Sequence, residues 1–230
     1  MIQIVDRLIV RIKERHPGFE IRFKDQPLPF WLRPVFRLQG LISTGFWDQS
    51  ITRVGDHVYF PSRTMFEHDQ VQAFAALAYE FVRMHDSAMQ SRILFSARYL
   101  FPQVTIGLFS LLGMFGIFHA SFYAFFVLLL ALAPWPAPWR LKIEQRGHQM
   151  SILSLTMMGE PINRAHIIDR FMTHYWMTCD KETIIGWLDD EVVSAQANLS
   201  NINTFDRPYR DVVDVYRTNM GIRWKPSIGR

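Results

Sequence analysis

The side chains with the most chemical potential cluster around residue 80, where the chain runs Ala78-Tyr79-Glu80-Phe81-Val82-Arg83-Met84-His85-Asp86. Glu80 is a carboxylate of the kind that serves as a general base or a metal ligand. Tyr79 and Arg83 are spaced i, i+4, so on a helix they share a face. Glu144 and His148 have the same spacing and can share a metal ion. His85 lies about one and a half turns from Glu80, on a different face. Glu80, His85, Glu144 and His148 therefore form one conceivable, rearranged metal site. The simpler reading makes them ordinary polar residues of helix surfaces or of a bundle. Nothing else in the chain competes for a catalytic role. No glycine-rich phosphate loop, nucleophile elbow or dinucleotide fingerprint occurs. The single cysteine, Cys179, excludes an intrachain disulfide and a cysteine-based zinc site. It precedes Asp180 with no base beside it in sequence. His166 and His174 read as interhelical or solvated, and Asp189-Asp190-Glu191 as a solvated face. Asn198-Leu199-Ser200 matches a glycosylation sequon, which matters only in a secretory context.

The stretch from Tyr79 to Arg83 resembles the active-site helix of the zincin metallopeptidases. There, in H-E-x-x-H, two histidines one turn apart bind zinc and the glutamate between them polarises the attacking water. Glu80 matches that glutamate, while Tyr79 and Arg83 stand at the histidine positions. In such proteins a β-edge precedes this helix and holds extended substrate. His57-Val58-Tyr59-Phe60-Pro61-Ser62 is similar to that edge, which implies peptide binding at Val58, Tyr59 and Phe60. The gluzincin branch takes a third metal ligand from a glutamate on a later helix, and Glu144 fills that place. The resemblance spans roughly residues 50–150 and matches two of its four key positions.

The departures decide what the resemblance implies. A guanidinium stays protonated and repels a dication, so Arg83 cannot replace a ligating imidazole. Tyr79 ligates only as a phenolate, against a pKa near 10. No cofactor is therefore expected; zinc enters only in the alternative, with Glu144, His85 and His148 as its candidate ligands. Arg83 can instead pair with Glu80 or Glu144 and close the site with a salt bridge. The expected function is a membrane-anchored, zincin-like pseudo-peptidase, a binding or structural component of a larger assembly. The alternatives are an active membrane metallopeptidase with non-standard ligands and a structural membrane or virion protein without zincin ancestry.

The elements that position these residues read as α+β. Ile2, Val5, Leu8, Ile9 and Ile12 recur at helical spacing, a helix packed on its own domain rather than on a membrane surface. No signal peptide is expected, because Asp6, Arg7 and Arg11 interrupt any apolar core. Phe19 to Lys24 alternates as a strand, and Ile51–Val54 and His57–Phe60 flank a Gly55-Asp56 turn as a hairpin. Between them, Phe30 to Leu41 is rich in aromatic residues and either covers the core or meets lipid headgroups. Helices are expected over about 68–92, 139–158, 162–178, 182–199 and 208–220.

Leu100 to Ala133 contains no Asp, Glu, Lys or Arg in 34 residues. It is too long for one upright pass across about 30 Å of hydrocarbon and short for two. Gly113, Gly116, His119 and Ser121 soften its middle, which predicts a membrane-inserted hairpin of two short helices, with His119 bonding across the turn. One long tilted helix and a buried helical pair are the competing readings. Basic residues at both flanks (Arg92 and Arg98, then Arg140, Lys142 and Arg146) place both ends on the cytoplasmic side, and Tyr99, Trp135 and Trp139 sit where interfacial aromatics would. The organisation is thus an N-terminal zincin-like part at 1–99, a membrane hairpin at 100–134 and a helical part at 135–230. The expected partners are the lipid bilayer and other proteins or further copies of the chain. Nucleic acid is not among them, because the net charge of +4 is spread rather than clustered: 13 basic and 10 acidic residues in 1–99, against 12 and 11 in 140–230.

Overall fold

A computed structural model describes residues 2–42, 45–101, 109–132, 138–175, 179–198 and 206–221. Its secondary structure follows the apolar spacing closely. Helix α1 (Ile2–Arg15) buries Ile4, Val5, Leu8 and Ile12 along one stripe, and strand β1 (Glu20–Phe23) follows. Helix α2 (Leu32–Ile42) leads into the hairpin of β2 (Thr52–Val54) and β3 (His57–Phe60), turned at Gly55 with φ +63°. After the short α3 (Arg63–His68) comes α4 (Gln70–Met89), whose N-cap is Asp69, its carboxylate accepting from Gln72 N at 3.0 Å. Then come α5 (Arg92–Leu100), α6 (Pro138–Met158), α7 (Arg164–Asp169, continued by a π turn through His174), α8 (Lys181–Asn198) and α9 (Arg207–Asn219). The molecule is 72% helix with one small sheet, so the α+β class expected from the strand signals gives way to a mainly helical fold.

The core is shared along the chain. Helix α4 packs lengthwise on α6, and α1 lies against α4 and α9. Phe74, Leu77, Phe81, Met150, Leu153, Phe171, Leu188 and Val212 belong to one continuous apolar cluster. Arg15 pairs with Asp211 at 3.1 Å and ties the first helix to the last. A second, smaller cluster lies between α2 and the sheet, where Leu32 and Phe36 meet Phe46 and Tyr59. The aromatic stretch before residue 42 therefore does cover the core, although Phe30 and Trp31 remain exposed. Lys24 holds the 45–50 loop against β1, donating to Phe46 O at 2.6 Å and Ser50 O at 2.7 Å.

The sheet has the order β1-β3-β2. β3 pairs in parallel with β1, Glu20 opposite His57 through Phe23 opposite Phe60, and antiparallel with β2, Thr52 opposite Tyr59. This corrects the expected peptide-binding edge. Val58, Tyr59 and Phe60 sit in the central strand, each almost fully buried, with a neighbouring strand on both sides. A strand paired on both sides has no free backbone donors or acceptors with which to hold a peptide. A local β-run does not reveal its neighbours, and β1 reaches β3 from 34 residues earlier (Phe23 to His57).

The membrane-inserted hairpin is also corrected. The described part of the apolar segment forms two 3-10 pieces, Ser110–Ile117 and Ala120–Leu132, joined at Phe118 and His119; residues 102–108 and 133 of the segment lie outside the description. No helix among the described residues is long and apolar enough to cross a membrane, so the membrane location expected from composition is not supported. The glycines explain the break. A Cβ on Gly113 would lie 2.9 Å from the Phe126 ring, and one on Gly116 would lie 2.2 Å from the Tyr123 ring. These bare positions let the two pieces lie side by side, which divides the apolar run at its middle. His119 does bond across the turn, its Nδ1 lying 2.6 Å from Ser121 Oγ.

Candidate functional site

The long contact between α4 and α6 contains the most polar part of the interior. Along α6, Glu144, Gly147, His148 and Ser151 recur at spacings of three and four, a stripe that faces α4. Ser151 Oγ donates to Ala75 O at 3.2 Å and fixes the register of the two helices. At Gly147 the helices come closest to a side chain: an added Cβ would sit 2.4 Å from the Tyr79 ring. Tyr79 therefore fits only because position 147 has no side chain. Gly147→Ala is expected to destabilise the fold by about 1–3 kcal/mol, the usual range for overpacking a filled interior. A denaturation midpoint unchanged from the parent would count against this packing.

Glu144 is fully buried, with 0% exposure. Its Oε2 accepts from the Tyr79 hydroxyl, its Oε1 accepts from the Tyr99 hydroxyl at 2.5 Å, and Arg83 Nη2 lies 3.4 Å from Oε1. The same guanidinium places Nη1 3.4 Å from Glu80 Oε1. Arg53, on β2, approaches Glu80 Oε2 with its Nε at 3.3 Å. One arginine thus spans the two carboxylates, and a second backs the first carboxylate. The rings complete the arrangement. Tyr99 lies between two guanidiniums, with Arg83 5.2 Å and Arg140 4.9 Å from its centroid. Arg140 in turn donates to Tyr99 O at 2.8 Å and Tyr175 O at 2.9 Å, joining α5, α6 and the turn after α7.

The electrostatics follow from burial. Burial alone pulls the Arg83 guanidinium down, but Glu144, Tyr79 and Glu80 outweigh it and hold its pKa well above the usual arginine value. Burial, with Glu144 adding to it, lifts the Tyr79 phenol well above its ordinary range despite the opposing pull of Arg83, so it stays protonated and donates. His148 is packed by the rings of Tyr79, Phe171 and Tyr175, and its Nε2 lies 2.6 Å from the Tyr175 hydroxyl. Burial, reinforced by Arg170 and Arg83, pushes its imidazole down to about 3. A folded-state pKa below the unfolded one means the unfolded chain binds the extra proton first. Stability is therefore whole above the unfolded value near 6.5 and falls as the pH drops toward 3, by roughly 1.4 kcal/mol per pH unit. His148→Gln is expected to flatten this acid slope relative to the parent in urea titrations between those pH values. Parallel slopes for parent and variant would exclude the effect.

Tyr79, Glu80, Arg83 and Glu144 are thus brought together, and His148 stands beside them against Tyr79. His85 is not among them. It turns to a second cavity of about 500 Å³, bordered by Asp86, Trp139, Lys142 and Arg146. The rearranged ligand set of Glu80, His85, Glu144 and His148 does not assemble: among the described residues no group of three or more His, Cys, Asp or Glu side chains could hold a metal ion. The zinc that the zincin resemblance implies does not fit these residues. A guanidinium stands between the two carboxylates, and the phenol of Tyr79 is held in its neutral form. Glu80, 3% exposed and flanked by two arginines, has no open face from which to polarise a water molecule.

Three members of the network lay beyond sequence reasoning. Arg53 carried no signal at all. Tyr99 and Arg140 read as flanks of the apolar segment, an interfacial aromatic and a topogenic charge. A tyrosine one residue before an uncharged run has two uses, and only the approach of α5 to α6 separates them. No protein-family model, curated protein or solved structure matches this chain.

Proposed function

We propose that this chain is a zincin-like pseudo-peptidase, a protein that keeps the paired glutamates of a metallopeptidase site, fills the space between them with an arginine, and acts by binding or as a structural component of a larger assembly. The observation that carries the reading is the position of Arg83, 3.4 Å from Glu80 and 3.4 Å from Glu144. A dication between two carboxylates and a guanidinium between two carboxylates answer the same electrostatic need. Breaking a buried pair of this sort is strongly unfavourable, which explains why the positions would change together rather than singly. The alternative of a working metallopeptidase is disfavoured by the same contacts, since both carboxylates are already engaged.

Elemental mass spectrometry on protein purified without added metal tests the reading. A folded protein with no stoichiometric metal is the expected result. Near-stoichiometric zinc, together with peptide cleavage lost on chelation and in Glu80→Gln, would replace it with the metallopeptidase alternative.

A further inference from the structure

Beside the ion-pair network a cavity of about 320 Å³ opens between β2, α4 and α5. That volume is at the lower end of small-molecule sites. One side of its wall is cationic and polar, with Arg53, Arg83, Ser87 and Ser96; another is apolar, with Val54 and Phe95. Asp56 and His16 also border it, and each is engaged by other groups.

Arg53 is the unusual member. Its side chain is only 12% exposed, and its one carboxylate partner among the described residues, Glu80, is shared with Arg83. The contact to Glu80 is made from Nε, and the Arg53 Nη atoms have no ion-pair partner among the described residues. The Phe95 ring lies 5.9 Å from its guanidinium carbon. Burial pulls the Arg53 pKa down, and Glu80 restores only part of the loss. The guanidinium lines the cavity, and its planar fork of donors matches a carboxylate.

We propose that this cavity binds a small organic carboxylate, its charged head on the Arg53 guanidinium and its apolar body against Phe95 and Val54. A singly charged head suits the site better than a phosphate dianion. Glu80 lies directly behind the guanidinium and Asp56 is on the wall, so each further negative charge meets repulsion. The apolar wall likewise calls for an organic body rather than an inorganic ion. The carboxylate comes either from a free acid or from the C-terminus of a peptide. This site rests on Arg53 and its cavity and does not depend on the zincin-like reading.

The test is a calorimetric titration of the full chain with benzoate, beside benzyl alcohol and inorganic phosphate. Saturable benzoate binding is expected, with the alcohol and phosphate at least about tenfold weaker, and with Arg53→Gln weakening benzoate by at least about tenfold. Ser96→Trp fills the rim from an exposed position and is expected to weaken benzoate similarly without touching the ion pairs. Absence of benzoate binding, equal binding of benzyl alcohol, or a folded Arg53→Gln variant with parental affinity overturns the proposal. If Arg53→Gln does not fold, undiminished binding by Ser96→Trp overturns it instead. A short peptide ending in free phenylalanine that displaces benzoate, when its C-terminal amide does not, assigns the cavity to chain ends. Failure of both peptides while benzoate binds assigns it to free acids.

Discussion

The Tyr79→His, Arg83→His double variant is expected to take up a stoichiometric zinc ion at neutral pH, under conditions in which the parent takes up none. The geometry supports this directly. The side chains at 79 and 83 both reach Glu144, so imidazoles at those positions would converge on the same carboxylate. Gly147 leaves room beside position 79 for a ring smaller than the phenol now there. Two imidazoles and a carboxylate make the His₂Glu set of a zinc site with one position open to water. Uptake should fall as the pH drops, because the ligands must lose their protons to bind. Adding Glu144→Gln should weaken zinc by more than the roughly 10–100-fold typical of losing a partner that merely orients a ligand. Competition against a chelator of known affinity measures all three chains. A well-folded double variant that ignores zinc would remove the main support for the zincin-like reading.

Removing the central cation alone should have the opposite character, a loss with no new binding. Arg83→Met keeps much of the side-chain volume and leaves Glu80 and Glu144 buried with fewer partners. Breaking such a pair costs about 3–5 kcal/mol, a large share of the roughly 5–15 kcal/mol that holds an ordinary domain together. Adding Glu144→Gln to the Arg83→Met chain should recover part of the lost stability, because one of the two uncompensated charges is then gone. Urea denaturation of the three chains at neutral pH checks both points. No recovery in the double variant would mean that Arg83 contributes packing and little charge compensation.

The helices were legible because burial imposes a period. Ile4 to Ile12 and Phe74 to Val82 each present one apolar face, and Asp69 marks the start of α4 as a cap. The resemblance led to the expectation that Arg83 pairs with Glu80 or Glu144, and the structure brings these three side chains together. What failed were the inferences from composition and the peptide-binding edge that the resemblance implied at Val58 to Phe60. Thirty-four uncharged residues set a hydrophobicity, but Gly113 and Gly116 shape the described part of that segment by letting its two pieces touch. Only Leu32 and Phe36 are buried among the described side chains of α2, while Phe30, Trp31, Val35 and Leu41 stay exposed, so the apolar residues of Phe30 to Leu41 fall on both faces and leave no clean stripe from which to read a helix. Pairings across many residues leave no period at all. Nothing near Arg53 announces Glu80, and nothing near Tyr99 announces Glu144.

A cation that is part of the chain differs from a bound one in a way that concerns supply. A metal ion has a dissociation constant, so a site that relies on one is emptied by dilution, by chelators or by scarcity, and its occupancy tracks the surroundings. The guanidinium between Glu80 and Glu144 is made with the polypeptide, is present once per molecule, and has nowhere to diffuse. The charge that pairs these two carboxylates across the α4–α6 contact is therefore present from synthesis onward.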